Sequence, residues 1–317
     1  MPPRHWRPYF VDGVQGLGDN IYQRAAVQAL ASEEGARVFV STSWPQLYRD
    51  LPNVWPVRPV TKLRTQRINI GRADGSAWRA RPAHARRLAT LYGDADLKAG
   101  TIAQHFDRAL GLAPGTPLHW SIPDDFEPPP LVVPADKPLA LIRPATVREE
   151  WRNEARNPDP HALAALADHL RTTHYLVSVA DLSLGKEWLV PPAPYADVRF
   201  HAGELPVDQL LGLCAAADLI VGGVGWIVPA AVATGTPAFV LLGGMGAHNA
   251  PEVILDPRMP ADHVGFGWPA EFCRCNLKLH DCRKEMPDAV RQFEAWRDLQ
   301  RRCGGGLEPA RRHGVAA

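Results

Sequence analysis

One stretch, residues 218–244, constrains the fold of this chain more than any other. It reads DLIVGGVGWIVPAAVATGTPAFVLLGG, and Asp218 is its only charged residue. Two short apolar runs enclose a segment rich in Ala and Val, which is the pattern of a parallel strand, a helix and a second parallel strand covered on both faces. A unit with so little charge must be buried. The stretch therefore predicts an α/β fold.

The glycines of this stretch predict a ligand-binding turn. Gly222, Gly223 and Gly225 follow the first apolar run, where the backbone can adopt positive φ and approach a ligand closely. Pro229 falls in the first helical turn, and Gly235 ends the helix. A glycine turn between a parallel strand and a helix N-terminus suits a phosphate or diphosphate. Tight packing of the strand and helix is the alternative reason for the same glycines.

Length and composition narrow the class of protein. The chain has 317 residues, of which 46% are hydrophobic and 22% charged, so it is long enough for two globular domains. We find neither an apolar run suited to a membrane span nor a signal sequence near Met1, which predicts a cytoplasmic protein. Five cysteines, an odd number, argue against a disulfide framework.

The N-terminal region contains a second strand, glycine loop and helix. Residues 9–14 predict a strand, residues 13–20 read GVQGLGDN, and a helix is expected over 21–32. Asp19 or Asn20 is expected as the N-cap, because a short side chain with an oxygen can accept the free N–H groups of the first turn. Capping is thus the structural alternative to any catalytic role of Asp19.

The remaining pattern predicts two α/β series. In the first half we expect strands at 37–43, 54–60 and 67–70 and helices at 83–92 and 101–110. In the second half we expect strands at 139–142, 175–180 and 198–201 and helices at 161–171, 207–217 and 287–302. Residues 127–138, EPPPLVVPADKP, form a stiff connection between them. We therefore predict domains at 1–130 and 131–303, facing a central cleft, and a disordered tail at 304–317.

Positive charge is concentrated in the first half. Residues 58–87 contain nine Lys and Arg residues but only one acid, Asp74. A solvated face is the usual meaning of such a run, and an anionic partner is the other interpretation.

Two short motifs carry a resemblance to a known family. Gly16-Leu17-Gly18-Asp19 near the start and Gly235-Thr236-Pro237 after the second glycine turn resemble motifs of the heptosyltransferase-like GT-B glycosyltransferases. The resemblance implies two Rossmann-like domains and an inverting transfer of sugar from a nucleoside-diphosphate sugar. It also implies that Asp19 is the catalytic base. Gly16, Gly18 and Asn20 are then expected to contact substrate.

The chain departs from that family at the donor site. Where the family has Asp-Ser-Gly and a following histidine, this chain has Gly223-Val224-Gly225. Replacements are expected at the carboxyl ends of the second-half strands, where guanidinium groups can bind phosphate and a carboxylate can accept from ribose hydroxyls. The candidates are Arg143, Thr146, Arg148, Lys186, Glu204 and His248, together with Gly222, Gly223 and Gly225. For each side chain, a loop salt bridge or cap is the alternative.

The expected reaction is displacement at an anomeric carbon. A carboxylate takes the proton of the acceptor hydroxyl, while cations and helix N-termini stabilise the departing diphosphate, so no catalytic cofactor or metal is required. The basic segment predicts an anionic acceptor, either a phosphorylated glycolipid core or a modified nucleic acid. A nucleotide-sugar epimerase and a non-catalytic nucleotide-sugar-binding protein are the alternatives.

A cysteine cluster lies near the C-terminus. Cys273, Cys275, His280 and Cys282 form C-x-C-x₄-H-x-C, and three thiols with an imidazole can hold a structural zinc ion. The first spacing differs from the usual C-x₂-C, so a loop of reduced thiols is the alternative.

Overall fold

The chain divides into two compact units. The computed structural model describes residues 7–148 and 150–303. Among these residues, the first unit comprises residues 7–125 together with Glu252–Met259, and the second comprises the described residues of 126–251 and 260–303. The predicted boundary at 130/131 lies five residues later, and the predicted second domain includes residues 252–259, which the structure groups with the first unit. The tail expected at 304–317 lies outside the described residues.

The first unit contains a parallel four-stranded sheet. Its strands are β1 (Arg7–Asp12), β2 (Ala36–Ser41), β3 (Val54–Val57) and β4 (Arg86–Ala89), in the order β3-β2-β1-β4. Its main helices are α1 (Leu17–Ala31), α2 (Arg64–Arg72), α3 (Asp94–Lys98) and α4 (Ile102–Leu110). Val11, Val38 and Val40 are completely buried, as parallel strands covered on both faces require.

Two sequence predictions in this unit are wrong. Residues 67–70 lie within α2, where the buried positions Thr65, Gln66, Asn69 and Ile70 recur with helical spacing. Residues 83–92, predicted as a helix, instead contain β4, which pairs with β1 from Tyr9 to Asp12. Pairing with a central strand overrides the local preference of an Arg- and Ala-rich segment.

The second unit contains a parallel six-stranded sheet. Its strands are β5 (Leu139–Arg143), β7 (Tyr175–Val179), β9 (Val198–Phe200), β10 (Leu219–Gly223), β11 (Ala238–Leu241) and β12 (Val264–Gly267). A separate antiparallel pair consists of β6 (Thr146–Val147) and β8 (Trp188–Leu189). The helices from α5 on are α5 (Pro160–Leu170), α6 (Val207–Ala216), α7 (Ile227–Thr234), α8 (Gly246–Asn249), α9 (Pro251–Ile254) and α10 (Ala289–Arg302). We did not predict β12.

The order of this sheet is β12-β11-β10-β5-β7-β9. Counted along the chain, the six strands lie in the common doubly wound order 3-2-1-4-5-6. The direction of winding reverses between β5 and β10. In the first unit, the order β3-β2-β1-β4 reverses in the same way between β1 and β4. The predicted α/β class with two doubly wound sheets is therefore confirmed.

Packing in the second unit agrees with the sequence pattern. Phe293 of α10 is fully buried, and its ring lies 5.4 Å from that of Phe239 on β11, so this side of the last helix is a packing face. Gly212 of α6 packs closely against the proline-rich connection, and a Cβ added at Gly212 would lie 2.3 Å from the Glu127 carbonyl carbon.

Among the helices that the structure describes, none has the length and apolar character to span a bilayer.

Candidate functional site

Asp19 lies at the point where the first sheet reverses its winding. Strands β1 and β4 are neighbours that end together, with Asp12 paired to Ala89, and ligands of doubly wound sheets bind at such a point. Asp19 is half-buried in the first turn of α1, where the helix dipole favours a carboxylate. Tyr92, which follows β4, donates its hydroxyl to Asp19 Oδ1 at 2.6 Å. The two chain segments at this point are thus joined through the carboxylate.

Buried groups of α4 hold the Tyr92 ring. The ring meets His105 edge-on at 5.6 Å and Phe106 at 6.2 Å between centroids, and Phe106 is fully buried. His105 Nε2 lies 3.3 Å from the carbonyl oxygen of Thr90, and His105 Nδ1 lies 3.4 Å from Asp96 Oδ1. The sequence pattern does not mark Tyr92, because it places this residue at the end of a helix over 83–92 that does not form.

The glycine loop before α1 differs from expectation. Gly16 is the N-cap, so neither Asp19 nor Asn20 caps the helix. Asn20 is fully buried. Its Nδ2 donates to the carbonyls of Val14 and Gly16 at 2.9 and 2.8 Å, and its Oδ1 accepts from Thr42 at 2.6 Å. Asn20 therefore braces the loop, although we had expected it to face substrate.

The glycines of the loop have different surroundings. A Cβ on Gly16 would lie 2.5 Å from Asp19 Oδ2, so this glycine leaves room for the carboxylate to turn back over the loop. Gly18 is the second residue of α1 and is half-buried.

The second unit reverses its winding between β5 and β10, where Arg143 and Gly222–Gly223 end the two strands. Gly222 and Gly223 have no positive φ, in contrast to our expectation. Both positions require glycine because neighbouring atoms leave no room for a side chain. A Cβ added at Gly222 would lie 2.8 Å from Arg143 Cβ, and one added at Gly223 would lie 2.5 Å from Pro158 Cδ. At Gly225 no atom lies within 4 Å of an added Cβ, so this backbone faces open space.

Arg143 belongs to a polar cluster around Glu187. Its guanidinium donates to Glu187 at 2.7 Å, to the Val179 carbonyl at 3.1 Å and to Thr146 at 2.9 Å. The Thr146 hydroxyl also donates to Glu187 at 2.9 Å. Arg148 lies 3.6 Å from the same carboxylate. No spacing pattern in the sequence marks Glu187 as part of this cluster.

Glu187 neutralises part of the positive charge of Arg143 and Arg148 at the carboxyl end of β5. Burial alone would raise the pKa of Glu187, but the guanidinium groups of Arg143 and Arg148 hold it well below its usual range. Only 13% of the Arg143 side chain is exposed, against 40% for Arg148. Arg148 is therefore the better placed of the two to meet a ligand.

Three other candidate residues occupy separate positions. Lys186 is buried and pairs with Asp181 at 2.6 Å, so its charge is also compensated. Glu204 is exposed on the loop after β9, next to Gly203 with a φ of 75°. His248 is half-buried in α8, in the segment after β11.

The cysteine cluster comes together in the second unit. The ligand atoms of Cys273, Cys275, His280 and Cys282 all lie within 4.8 Å of one another. Cys275 Sγ lies 3.7 Å from Cys282 Sγ, and His280 Nδ1 lies 3.6 Å from Cys273 Sγ and 3.2 Å from Cys282 Sγ. Tetrahedral zinc would place two sulfurs about 3.8 Å apart and sulfur and nitrogen about 3.6 Å apart, so the donor set fits the ion.

Comparison with known proteins identifies the fold. No family model and no curated protein sequence matches the chain. Among solved structures, heptosyltransferase II of E. coli matches with a TM-score of 0.53 and 13% identity, over 93% of this chain and 99% of that one. The chain has the heptosyltransferase fold. Heptosyltransferase WaaC of E. coli, solved with ADP, matches with a TM-score of 0.54 and 13% identity, over 93% and 98% of the two chains.

An iron-containing dodecameric glycosyltransferase, TibC of enterotoxigenic E. coli, shares the heptosyltransferase fold with a TM-score of 0.59 and 13% identity. The match covers 94% of this chain and 77% of TibC. Within the heptosyltransferase fold of the present chain, Asp19 and Tyr92 occupy the winding reversal of the first unit. Arg143, Gly222 and Gly223 occupy that of the second.

Proposed function

We propose that this protein is an inverting glycosyltransferase that moves a sugar from a nucleoside-diphosphate sugar to an acceptor hydroxyl without a catalytic metal. The observation that carries the proposal is the position of Asp19, a carboxylate held by Tyr92 at the winding reversal of a nucleotide-binding type of sheet. The heptosyltransferase fold supports it, because E. coli heptosyltransferases share this architecture.

In this proposal Asp19 acts as the general base. The Tyr92 hydrogen bond holds Oδ1 of the carboxylate, and Oδ2 lies on the side of Gly16. The base takes the proton as the acceptor oxygen attacks the anomeric carbon, and the diphosphate leaves with the bonding electrons. Attack from the face opposite the leaving group inverts that carbon.

The second unit binds the donor in this proposal. Gly225 presents open backbone just before α7, whose N-terminus favours an anion, and Arg148 contributes the more exposed guanidinium. Three further candidates have a structural role at the carboxyl ends of the strands, because their polar groups already contact carboxylates. They are Arg143, Thr146 and Lys186. Glu204 and His248 remain proposals for contacts to the ribose and the diphosphate.

The acceptor is proposed to be anionic. All nine basic side chains between residues 58 and 87 are exposed: Arg58, Lys62, Arg64, Arg67, Arg72, Arg79, Arg81, Arg86 and Arg87. An acceptor that carries phosphate groups, such as a glycolipid core or a modified nucleic acid, suits this surface. Its binding should weaken steeply from dilute to physiological salt, and binding indifferent to salt would contradict an anionic acceptor.

The direct test is turnover with a panel of nucleoside-diphosphate sugars that includes ADP-heptose. Release of free diphosphate that requires an acceptor supports transfer. Asp19→Asn should lose at least 100-fold in kcat while the donor Kd stays within a factor of two, because the amide cannot accept the proton. Near-wild-type turnover by a folded Asp19→Asn variant would exclude Asp19 as the base.

The same panel distinguishes the alternatives. Interconversion of the donor sugar would indicate an epimerase, whereas binding without turnover would indicate a nucleotide-sugar-binding protein. The compensated charges of Arg143 and Lys186 favour the second of these, because they leave fewer cations for a leaving diphosphate.

We also propose a structural zinc ion at Cys273, Cys275, His280 and Cys282. The four ligand atoms lie within 4.8 Å of one another, and the Cys275–Cys282 and Cys273–His280 distances of 3.7 and 3.6 Å are close to those of tetrahedral coordination by three sulfurs and one nitrogen. The site takes no part in the transfer step of this mechanism.

A further inference from the structure

The cysteine loop, residues 273–282, is bound to the segment that follows β11. We call that segment, residues 243–250, the rim loop. Gly246 N donates to the Cys273 carbonyl at 2.9 Å, and Ala247 N donates to the Cys275 carbonyl at 3.2 Å. A Cβ on Gly244 would lie 2.2 Å from Cys282 Sγ. The thiols and the rim loop are thus in direct contact.

A third segment, residues 153–158, is enclosed by these two loops. Ala155 N donates to the Lys278 carbonyl of the cysteine loop at 3.0 Å, and the Ala155 carbonyl accepts from Gly244 N at 2.7 Å. Ala155 is fully buried and packs with Met245 and Cys282 in a small apolar cluster. The three segments therefore form one packed body.

This packed body reaches the winding reversal of the second sheet. The Asn157 side chain donates to the Thr146 carbonyl at 2.9 Å. Pro158 closes against Gly223 at the end of β10, where a Cβ would lie 2.5 Å from its Cδ. A chain of contacts hence runs from the cysteine loop to the strand ends that carry Arg143, Thr146 and Gly223.

The cysteine loop has few buried side chains of its own, and backbone hydrogen bonds at Cys273, Cys275 and Lys278 join it to its neighbours. His280 is exposed and Cys273 and Cys275 are half-buried, so Cys282 is the only buried member of the cluster. None of residues 268–288 lies in a helix or strand. Contacts among thiols and an imidazole are weak, whereas coordination of one metal ion by all four side chains would tie the loop together and couple its ordering to metal binding.

We propose that a tetrahedrally coordinated metal ion at Cys273, Cys275, His280 and Cys282 orders the rim loop and residues 153–158, and thereby sets the affinity of the second unit for a nucleoside diphosphate. The affinity part of this inference rests on the proposed function. Binding deprotonates the thiols, and the protons pass to solvent. No electron transfer is involved.

The test begins with the metal. Elemental analysis of the full-length protein purified under reducing conditions should find about one zinc or iron ion per chain. Co²⁺ added to chelated protein should give thiolate charge-transfer absorption. His280→Ala and Cys275→Ser should lose the ion, whereas Cys303→Ser, at an exposed thiol outside the cluster, should retain it. Failure of zinc and Co²⁺ to bind chelated, folded protein would overturn the proposal.

The second arm measures the consequence. Removal of the metal should speed hydrogen exchange at residues 153–158 and 243–250 while β1 and β2 exchange at unchanged rates. The Kd for ADP should rise at least tenfold, and Zn²⁺ should restore it. His280→Ala is the milder variant, since its exposed side chain is dispensable for packing. Unchanged exchange in both segments after metal loss would refute the ordering role.

The two proposals fail in different ways. If the metal-loaded protein binds none of the nucleoside diphosphates and nucleoside-diphosphate sugars of the panel, the proposed donor class is wrong, and the exchange experiment still decides whether the metal orders the rim loop. If ADP binds equally with and without metal, the donor assignment stands and the inferred control of affinity is wrong.

Discussion

At the scale of single residues, the candidate site depends on which charges are already compensated. Asp19 and Arg148 retain partial exposure. Arg143, which is mostly buried, pairs with Glu187, and the buried Lys186 pairs with Asp181. A buried ion pair has mainly a structural role, because its two charges already compensate each other. Removal of one partner leaves the other charge buried and uncompensated. Residues that look alike in the sequence are therefore expected to respond differently to substitution.

Tyr92→Phe tests how Asp19 is held. The variant removes the donor at 2.6 Å from Oδ1 but keeps the ring contacts with His105 and Phe106. We expect kcat to fall about tenfold with an unchanged donor Kd, and the acid limb of the kcat/KM profile to move to higher pH, because a carboxylate that loses a hydrogen-bond donor keeps its proton more readily. A profile identical to that of the wild type would show that Tyr92 has only a packing role.

Arg143→Ala and Arg148→Ala form a matched pair. Arg143→Ala leaves Glu187 buried without its nearest cation, so the free energy of unfolding should fall by about 3 kcal/mol. Arg148→Ala should change it by less than about 0.5 kcal/mol, yet weaken ADP binding about tenfold. Urea unfolding and calorimetric titration with ADP measure the two effects. Equal ADP affinity in wild type and Arg148→Ala would remove Arg148 from the donor site.

At the scale of elements, strand ends and helix starts position the site. In both units the chain crosses from a central strand into a helix at the winding reversal, through β1 into α1 and through β10 into α7. In the second unit the glycines serve two purposes. Gly222 and Gly223 permit neighbouring segments to approach β10, and Gly225 leaves backbone open before the helix.

Gly222→Ala and Gly225→Ala separate these purposes. An added Cβ at Gly222 meets Arg143 Cβ at 2.8 Å and the Arg143 carbonyl oxygen at 3.0 Å, so the variant should lose about 1–3 kcal/mol of stability. Gly225→Ala has free space and should be neutral or gain up to about 1 kcal/mol. If its backbone seats the diphosphate, Gly225→Ala should nevertheless weaken ADP binding. Thermal unfolding that ranks the two variants in the opposite order would contradict this assignment.

At the scale of the whole molecule, two partly or fully buried titratable groups of the second unit make its stability depend on pH. Burial, with a contribution from nearby Arg297, lowers the pKa of His174 to about 4. In the unfolded chain this histidine has its usual pKa of about 6.5. Between about pH 4 and pH 6.5 the unfolded state therefore binds more protons than the folded state. The free energy of unfolding should therefore fall as the pH drops from about 6.5 to 4. Below that window, protonation of Glu187 in the unfolded chain adds to the loss.

His174→Gln tests this assignment. Because His174 retains some exposure, we expect its contribution to the acid loss to be about 1–2 kcal/mol between pH 7 and pH 4.5. Urea unfolding of the variant should show a correspondingly flatter dependence, whereas His161→Gln, at an exposed position of α5, should follow the wild type. A slope for His174→Gln equal to that of the wild type would assign the loss to other groups.

The sequence by itself determined the α/β class, the doubly wound sheets and the glycine-bounded helices, because burial on both faces and helix ends leave local patterns. Gly235, with its φ of 70°, ends α7 as its sequence predicts. Only the tertiary structure decided that residues 83–92 contain a strand, that residues 252–259 return to the first unit, and that Glu187 compensates Arg143. Each of these depends on a partner distant in the chain, and local pattern carries no information about a distant partner.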